Sequence, residues 1–290
     1  MFKGSIVAIV TPFKEGAFDE ESYRDLIEFQ IENGTSAIVP CGTTGESATL
    51  NFEEHHKVIK VAIDAVKGRV PVIAGTGGNS TSEAIELTRH AKEAGADASL
   101  QVTPYYNKPT QEGLFQHYKA IASAVSFPQV LYNVPGRTGV NMLPETVARL
   151  SELPEIQAIK EASGNLVQMA EIINLAGDKI DLLSGDDNIT LPVLSIGGKG
   201  VVSVVANIVP ADTAEMVNAW GKGDVEKASG LYYKLFPLCR AMFYETNPIP
   251  VKTSVALMGK IRLEFRLPLV PMSSSNLEKL KEALKDYGLI

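Results

Sequence analysis

Ile156-Gln157-Ala158-Ile159-Lys160-Glu161-Ala162-Ser163-Gly164 is a short apolar run of strand character that ends in a lysine, just where small and polar residues take over. Strand interiors rarely carry ammonium groups, and a desolvated lysine tends to lose its proton rather than keep an unpaired charge. A neutral amine is a nucleophile toward carbonyl carbon, which is how Schiff-base chemistry opens. The plainer reading is a lysine that marks the strand's exit into solvent. The company the stretch keeps decides between them.

Working outward, the same unit of a short Val/Ile-rich run followed by a longer helical stretch recurs along the chain. Strands are predicted at Ser5–Val10, Ala37–Pro40, Val70–Ala74, Ala98–Val102, Gln129–Tyr132, Ile156–Lys160, Ile180–Leu183 and Gly200–Val204. They are apolar almost throughout, as strands of a parallel sheet buried on both faces must be. Helices are predicted between them at Glu20–Glu32, Phe52–Val66, Ser80–Glu93, Gln111–Val125, Leu143–Leu150, Leu166–Ala176 and Ile189–Ile196. Asn33-Gly34 and Gly95 supply helix stops, Asn51 a cap, and Ser80 with Glu83 the spacing of a capping box. Eight such units imply an α/β fold, a closed (β/α)8 TIM barrel. An open doubly wound sheet is disfavoured, because no GxGxxG comes after the first strand. Beyond the eighth strand the pattern changes to helices alone: Ala211–Trp220, Val225–Tyr244, Pro250–Met258 and Asn276–Tyr287. We read residues 1–222 as the catalytic barrel and 223–290 as a C-terminal helical region that packs on it or serves subunit contacts.

Composition narrows the function. The 290 residues are 45% hydrophobic and 21% charged, with a net charge of -7 and no concentrated basic face, which argues against nucleic acid as a partner. The apolar run at the N-terminus stops at Pro12, and no run is long enough to span a bilayer, so no membrane association is expected. Two cysteines, Cys41 and Cys239, form no disulfide framework and fit a reducing cytoplasm. His55 and His56 are neighbours on one helix and point about 100° apart, and no HExxH or Cys/His cluster occurs, so neither a metal nor a cofactor is expected.

In a barrel the active site lies at the C-terminal ends of the strands, so the residues just past each strand are the candidates. Gly42-Thr43-Thr44-Gly45-Glu46-Ser47 reads either as a plain turn or as a nest of N–H groups suited to a carboxylate. Tyr105-Tyr106 and Tyr132 read as rim packing or as a hydroxyl chain that moves protons to and from a Schiff base. Arg137 reads as a surface charge or as a fork for a substrate carboxylate. Asp186-Asp187, after Gly185 on the seventh strand, we read as loop and cap residues.

These residues carry a resemblance. Gly42-Thr43-Thr44-Gly45-Glu46-Ser47, Tyr132-Asn133-Val134-Pro135-Gly136-Arg137-Thr138-Gly139 and Ile159-Lys160-Glu161-Ala162 resemble the pyruvate-dependent Schiff-base lyases and synthases. Within that superfamily, Val102-Thr103-Pro104-Tyr105-Tyr106-Asn107-Lys108-Pro109 and Asn247-Pro248-Ile249-Pro250-Val251-Lys252 are similar to the dihydrodipicolinate synthase family, over essentially the whole chain. The resemblance implies condensation of pyruvate with L-aspartate-4-semialdehyde, on the way to diaminopimelate and lysine. It implies Lys160 as the Schiff-base lysine, Tyr132 as the proton donor and acceptor, and Thr43 and Tyr106 as its relay partners. Tyr106 is expected to reach into a neighbouring subunit, in a homotetramer built as a dimer of dimers. Thr44 and Val202 are expected to hold pyruvate, Arg137 the semialdehyde carboxylate, and Gly185 to complete the substrate-binding set.

The resemblance also implies an L-lysine effector site at Ser47, Ala48, His55, Asn79, Glu83 and Tyr105. Phe52 departs from the lysine-sensitive pattern, which has a histidine there, so weak inhibition is expected. Two other readings stand beside this one. A sialic acid (N-acetylneuraminate) lyase or a 2-keto-3-deoxy sugar acid aldolase keeps the chemistry and changes the aldehyde, and a non-catalytic ligand-sensing barrel keeps only the fold. Arg137 speaks against the first, and the complete set of relay residues against the second.

Overall fold

The computed structural model describes residues 2–290. Eight parallel strands, β1 Gly4–Ala8, β2 Ala37–Val39, β3 Ile73–Gly75, β4 Ala98–Val102, β5 Gln129–Asn133, β6 Ile156–Glu161, β7 Asp181–Ser184 and β8 Gly200–Ser203, form one sheet. Its spatial order is β2-β1-β8-β7-β6-β5-β4-β3. The two ends meet through a parallel bridge between Ile38 and Val72, where Ile38 N–H donates to Pro71 O at 3.0 Å and Gly75 N–H to Pro40 O at 2.9 Å. The sheet is therefore a closed barrel, as the eightfold alternation predicts.

Each strand leads into a helix: α1 Glu20–Glu32, α2 Phe52–Val66, α3 Thr81–Ala94, α4 Gln111–Ala124, α5 Pro144–Leu150, α6 Leu166–Ala176, α7 Thr190–Ser195 and α8 Pro210–Gly221. Asn51 caps α2 in a full capping box with Glu54. Gly34 and Gly95 take positive φ, +83° and +98°, where helices α1 and α3 stop. Strand β3 is shorter than the sequence predicts for a local reason. Pro71 has no N–H to give the ladder, and the Val72 N–H is diverted to the Asp97 carboxylate at 2.8 Å. A two-stranded hairpin, Phe13–Lys14 with Ala17–Phe18, adds to the expected elements; its turn amides at Glu15 and Gly16 are held by the Glu264 carboxylate at 2.9 and 2.6 Å.

Strand alternation sorts the core. Ile6, Val39, Leu100, Val130, Leu183 and Val202 fill the barrel interior, while Val7, Ile38, Leu131, Ile159 and Leu182 point outward against the helices. No helix of the described residues is long and apolar enough to cross a membrane.

Three further helices come after the barrel, α9 Val225–Ala241, α10 Ile249–Leu257 and α11 Ser274–Tyr287. They are locked to it by charge as well as by packing. Lys252 of α10 and Glu46 of the Gly42–Ser47 loop form an ion pair in which both side chains are 0% exposed. The Lys252 ammonium also lies 4.0 Å from the Phe13 ring centroid. Burial pulls its pKa down to about 8 against the opposing pull of Glu46. Arg266 adds a second tie, its Nη1 donating to Glu54 at 2.6 Å and its guanidinium lying 4.3 Å from the face of Phe13.

Removing one half of a fully buried pair strands the other charge, at a cost of about 3–5 kcal/mol, whereas replacing both by apolar groups is often neutral. We expect Lys252→Met to lose stability of that order in urea unfolding, and Glu46→Leu/Lys252→Met to recover most of it. A single variant within about 1 kcal/mol of wild type would show that the pair is not holding this corner together.

Candidate active site

Two strand-end residues define the site. Tyr132 on β5 and Lys160 on β6 are direct register partners, so both side chains leave the sheet on its inner face at one level. Lys160 is 5% exposed, and its Nζ lies 4.1 Å from the centroid of the Tyr132 ring. Among the described residues it forms no ion pair, in contrast to Lys252. The amine faces a cavity of about 110 Å³, walled by Thr43, Thr44, Tyr132, Arg137, Gly185, Val204 and Asn247 among others.

The Gly42–Ser47 loop turns out to be a tight turn whose first residues stay available. Gly45, Glu46 and Ser47 give their N–H groups back to Gly42 O, Thr43 O and Gly42 O, at 3.1, 3.1 and 3.3 Å. The amides of Thr43 and Thr44 donate to no protein acceptor among the described residues. A Cβ on Gly45 would come within 3.1 Å of Ile9 O, which explains the glycine. Thr44 is buried, and its hydroxyl accepts from Asn247 Nδ2 at 3.0 Å. Arg137 stands on a four-residue helical turn, Pro135–Thr138, after β5, with Nη2 donating to Asn247 O at 3.0 Å. It has no acidic partner among the described residues, so its fork keeps free donors.

Asn247 therefore joins the loop to the arginine, with its Oδ1 buried and unpartnered. Sequence reasoning missed it as a site residue. It lies 203 residues from Thr44, in a stretch whose prolines gave only the resemblance.

Gly185 is placed by close approach. A Cβ there would lie 2.6 Å from Ala162 Cβ and 3.1 Å from both Cγ and Cε of Lys160, so the glycine leaves room for the lysine stem. Val202 sits inside the barrel in the interior core, and Val204, two residues further on, lines the cavity. Asp187 and Asp186 are indeed cap residues. Asp187 Oδ2 accepts from the Val204 and Val205 amides at 2.9 Å each, and Asp186 accepts from the Asn188 amide at 3.1 Å. Asp187 thereby fixes the Val204 wall.

Tyr106 stands apart. It is 90% exposed, with φ +69°, and does not line the cavity of its own chain.

A second cavity, about 400 Å³, adjoins the first and is lined by Thr43, Ser47, Ala48, Phe52, His55, Glu83, Tyr105 and Arg137 among others. Asn79 is not in its wall; its carbonyl accepts from Asn107 Nδ2 at 2.9 Å. The His55 ring donates from Nε2 to Gly75 O at 2.8 Å, and burial drives its pKa down to about 4, so it is a neutral ring tied to the end of β3. Phe52 stacks toward His56 at 6.4 Å, and His56 on His90 at 3.5 Å.

Comparisons with known proteins show the family to which the fold and the chain belong. A model of the dihydrodipicolinate synthetase family matches residues 1–287. A 4-hydroxy-tetrahydrodipicolinate synthase of Geotalea uraniireducens is 65% identical over 290 residues, the full length of both chains. The solved structure of a chloride-inhibited dihydrodipicolinate synthase from Acinetobacter baumannii, complexed with pyruvate, superposes with a TM-score of 0.98 at 50% identity, covering all of both chains. A Cyanidioschyzon merolae enzyme of the same name with lysine bound superposes with a TM-score of 0.97 at 44% identity, over 100% of this chain and 99% of that one.

The fit of Gly185 against Lys160 gives a direct expectation. Gly185→Ala should displace the lysine stem, and a displacement near 1 Å costs about 10²-fold in rate. Borohydride trapping after short exposure to pyruvate would measure it. Adduct formation at the wild-type rate would mean that the stem yields without cost.

Proposed function

The chain belongs to the dihydrodipicolinate synthetase family, and from that membership we propose how its residues divide the work: Lys160 is the nucleophile, Tyr132 its general acid and base, Thr43 and Tyr106 the proton relay, and Thr44, Val202, Gly185 and Arg137 the substrate-binding set. The reaction is the condensation of pyruvate with L-aspartate-4-semialdehyde to 4-hydroxy-tetrahydrodipicolinate, a lyase-class step of diaminopimelate and lysine biosynthesis.

The observation that carries the residue roles is a buried lysine without a counter-charge, registered beside a tyrosine at the mouth of the barrel. The neutral amine adds to the ketone carbon of pyruvate, and loss of water leaves an imine. The imine accepts the electron pair released when a methyl proton is removed, and the resulting enamine carbon attacks the aldehyde. Protons must move at each stage, and the nearness of the Tyr132 ring to Nζ supports this tyrosine as their carrier. The Thr43 and Thr44 amides with the Thr44 hydroxyl suit the pyruvate carboxylate. Arg137, with unused donors on the same cavity, suits the charged end of the semialdehyde. A sugar acceptor would offer hydroxyls there and leave that charge unanswered.

Tyr106 is exposed and does not line its own chain's cavity, so its part in the relay requires a second copy of the chain. A dimer is then the least complete unit, and a dimer of dimers the assembly we propose. A cytoplasmic setting accords with two cysteines that are both buried free thiols. The larger cavity is the proposed L-lysine site, with Phe52 in its wall.

Reduction with borohydride, with and without pyruvate, combined with mass mapping, tests the mechanism. The adduct should appear on Lys160 only with pyruvate, and Lys160→Ala should abolish it while the unfolding transition persists. An adduct on another lysine would sink the assignment. Sedimentation equilibrium alongside an L-lysine titration during turnover tests the rest. We expect a dimer or tetramer with weak inhibition that Phe52→His strengthens. A monomer with full activity would remove Tyr106 from the relay, and full inhibition at low lysine would show that Phe52 is no obstacle.

A further inference from the structure

Directly behind Tyr132 and Lys160, on the outer face of the same two strands, lies a buried carboxylate that the reaction does not touch. Strand alternation turns Glu161 away from the cavity as it turns Lys160 toward it, and does the same to Asn133 beside Tyr132. Asn133 and Glu161 are register partners. Glu161 is 0% exposed and has no lysine or arginine partner among the described residues. Its charge is met by donors alone. Oε2 accepts from Asn133 Nδ2 at 2.9 Å and Gln168 Nε2 at 3.3 Å, and Oε1 from the Ser163 amide at 2.7 Å. Asn133 Oδ1 in turn accepts from the Met142 amide at 2.9 Å, and Asn141 links Asn133 to Gln168 with bonds of 2.7 Å on each side.

The pairing of β5 with β6 gives this cluster something to correct. Gln129 pairs with Ile156 but Val130 pairs with Ala158, so the ladder carries an irregularity at its lower end and the register of its upper end is not inherited from below. A one-residue slip would turn Lys160 out of the cavity. We propose that Glu161 is a positioning residue: with Asn133 it clamps the upper ends of β5 and β6 and so sets the spacing between Lys160 and Tyr132 in the condensation. The inference rests on those two residues carrying the chemistry. Burial raises the Glu161 pKa while its hydrogen bonds pull the other way.

Glu161→Gln separates positioning from mere folding. With its amide oxygen kept at the Oε1 place by the Ser163 N–H, the new NH2 faces the NH2 groups of Asn133 and Gln168 and the clamp loosens. We expect kcat to fall by about 10- to 100-fold, with the pyruvate KM and the urea midpoint changed little. In a Tyr132→Phe background the same substitution should cost clearly less, because the spacing it guards has lost its purpose. Equal losses in both backgrounds, or a full-rate Glu161→Gln, would overturn the proposal. Should Glu161→Gln not fold, Asn133→Ala at the other end of the clamp must give the same split, and a loss of stability without loss of kcat overturns it equally. Mapping the borohydride adduct in the unsubstituted enzyme distinguishes the premise: an adduct away from Lys160 removes the mechanism itself, whatever Glu161 does.

Discussion

A residue on a parallel strand has no choice of face, and this constraint organises the molecule. Once eight strands close, alternate residues of each strand look inward and outward, so the register partners Tyr132, Lys160 and Leu183 share one level of the interior. Placing an amine there is expensive. An unpaired ammonium withdrawn from water loses far more solvation than packing returns, and the protein treats its two buried lysines in opposite ways. Lys252 is given Glu46 and the face of Phe13. Lys160 is given a tyrosine ring and an open cavity. One buried lysine is matched by a carboxylate and the other is left facing open space, and that difference in partners is what sets Lys160 apart.

The C-terminal helices belong to the same logic. Asn247 spans from Thr44 to Arg137, and Lys252 reaches beneath the loop that carries Thr43 and Thr44. The loop has two non-glycine residues at positive φ, Cys41 at +53° and Glu46 at +55°, and such a backbone persists only where its surroundings over-determine it. The Glu46 ion pair and the Arg266 bonds supply that determination from more than 200 residues away. What looks in sequence like an addition to a complete barrel contributes Phe243 and Asn247 to the wall of the cavity.

The legible part of the molecule is the periodic part. Strands with both faces buried and helices with caps state themselves locally, so all eight strands and helices such as Phe52–Val66 can be read directly. Lys160, Tyr132, Thr43 and Arg137 stand out as candidates because a barrel puts its chemistry at strand ends, and the fold brings all four around one cavity. Other features are silent for identifiable reasons. The Phe13–Phe18 hairpin has strands of two residues, too short for any period to appear. A third strand beginning at Val70 overlooks Pro71. Asn247 and Glu161 act through bonds to residues distant in sequence, and nothing in their neighbours announces it. Tyr106 has a surface position in this chain, and the relay role proposed for it is one that only a second copy would complete.

The two cavities sharpen what such a site can transmit. Thr43, Val134 and Arg137 line both the catalytic cavity and the larger one beside it, and Thr43 and Tyr132 line a small cleft of about 30 Å³ between them. A molecule seated in the larger cavity would thus touch the back of residues whose fronts face the substrates. Coupling between the two needs no displaced domain, only a difference in how Thr43 and Arg137 are held when the larger cavity is filled. Were a molecule seated there to change how those residues are held, linkage would require substrates to change its affinity by the same factor. His55, neutral and tied to the end of β3, stands in one wall of that cavity. Phe52 stands half exposed in the same wall and does not line the cavity that holds Lys160.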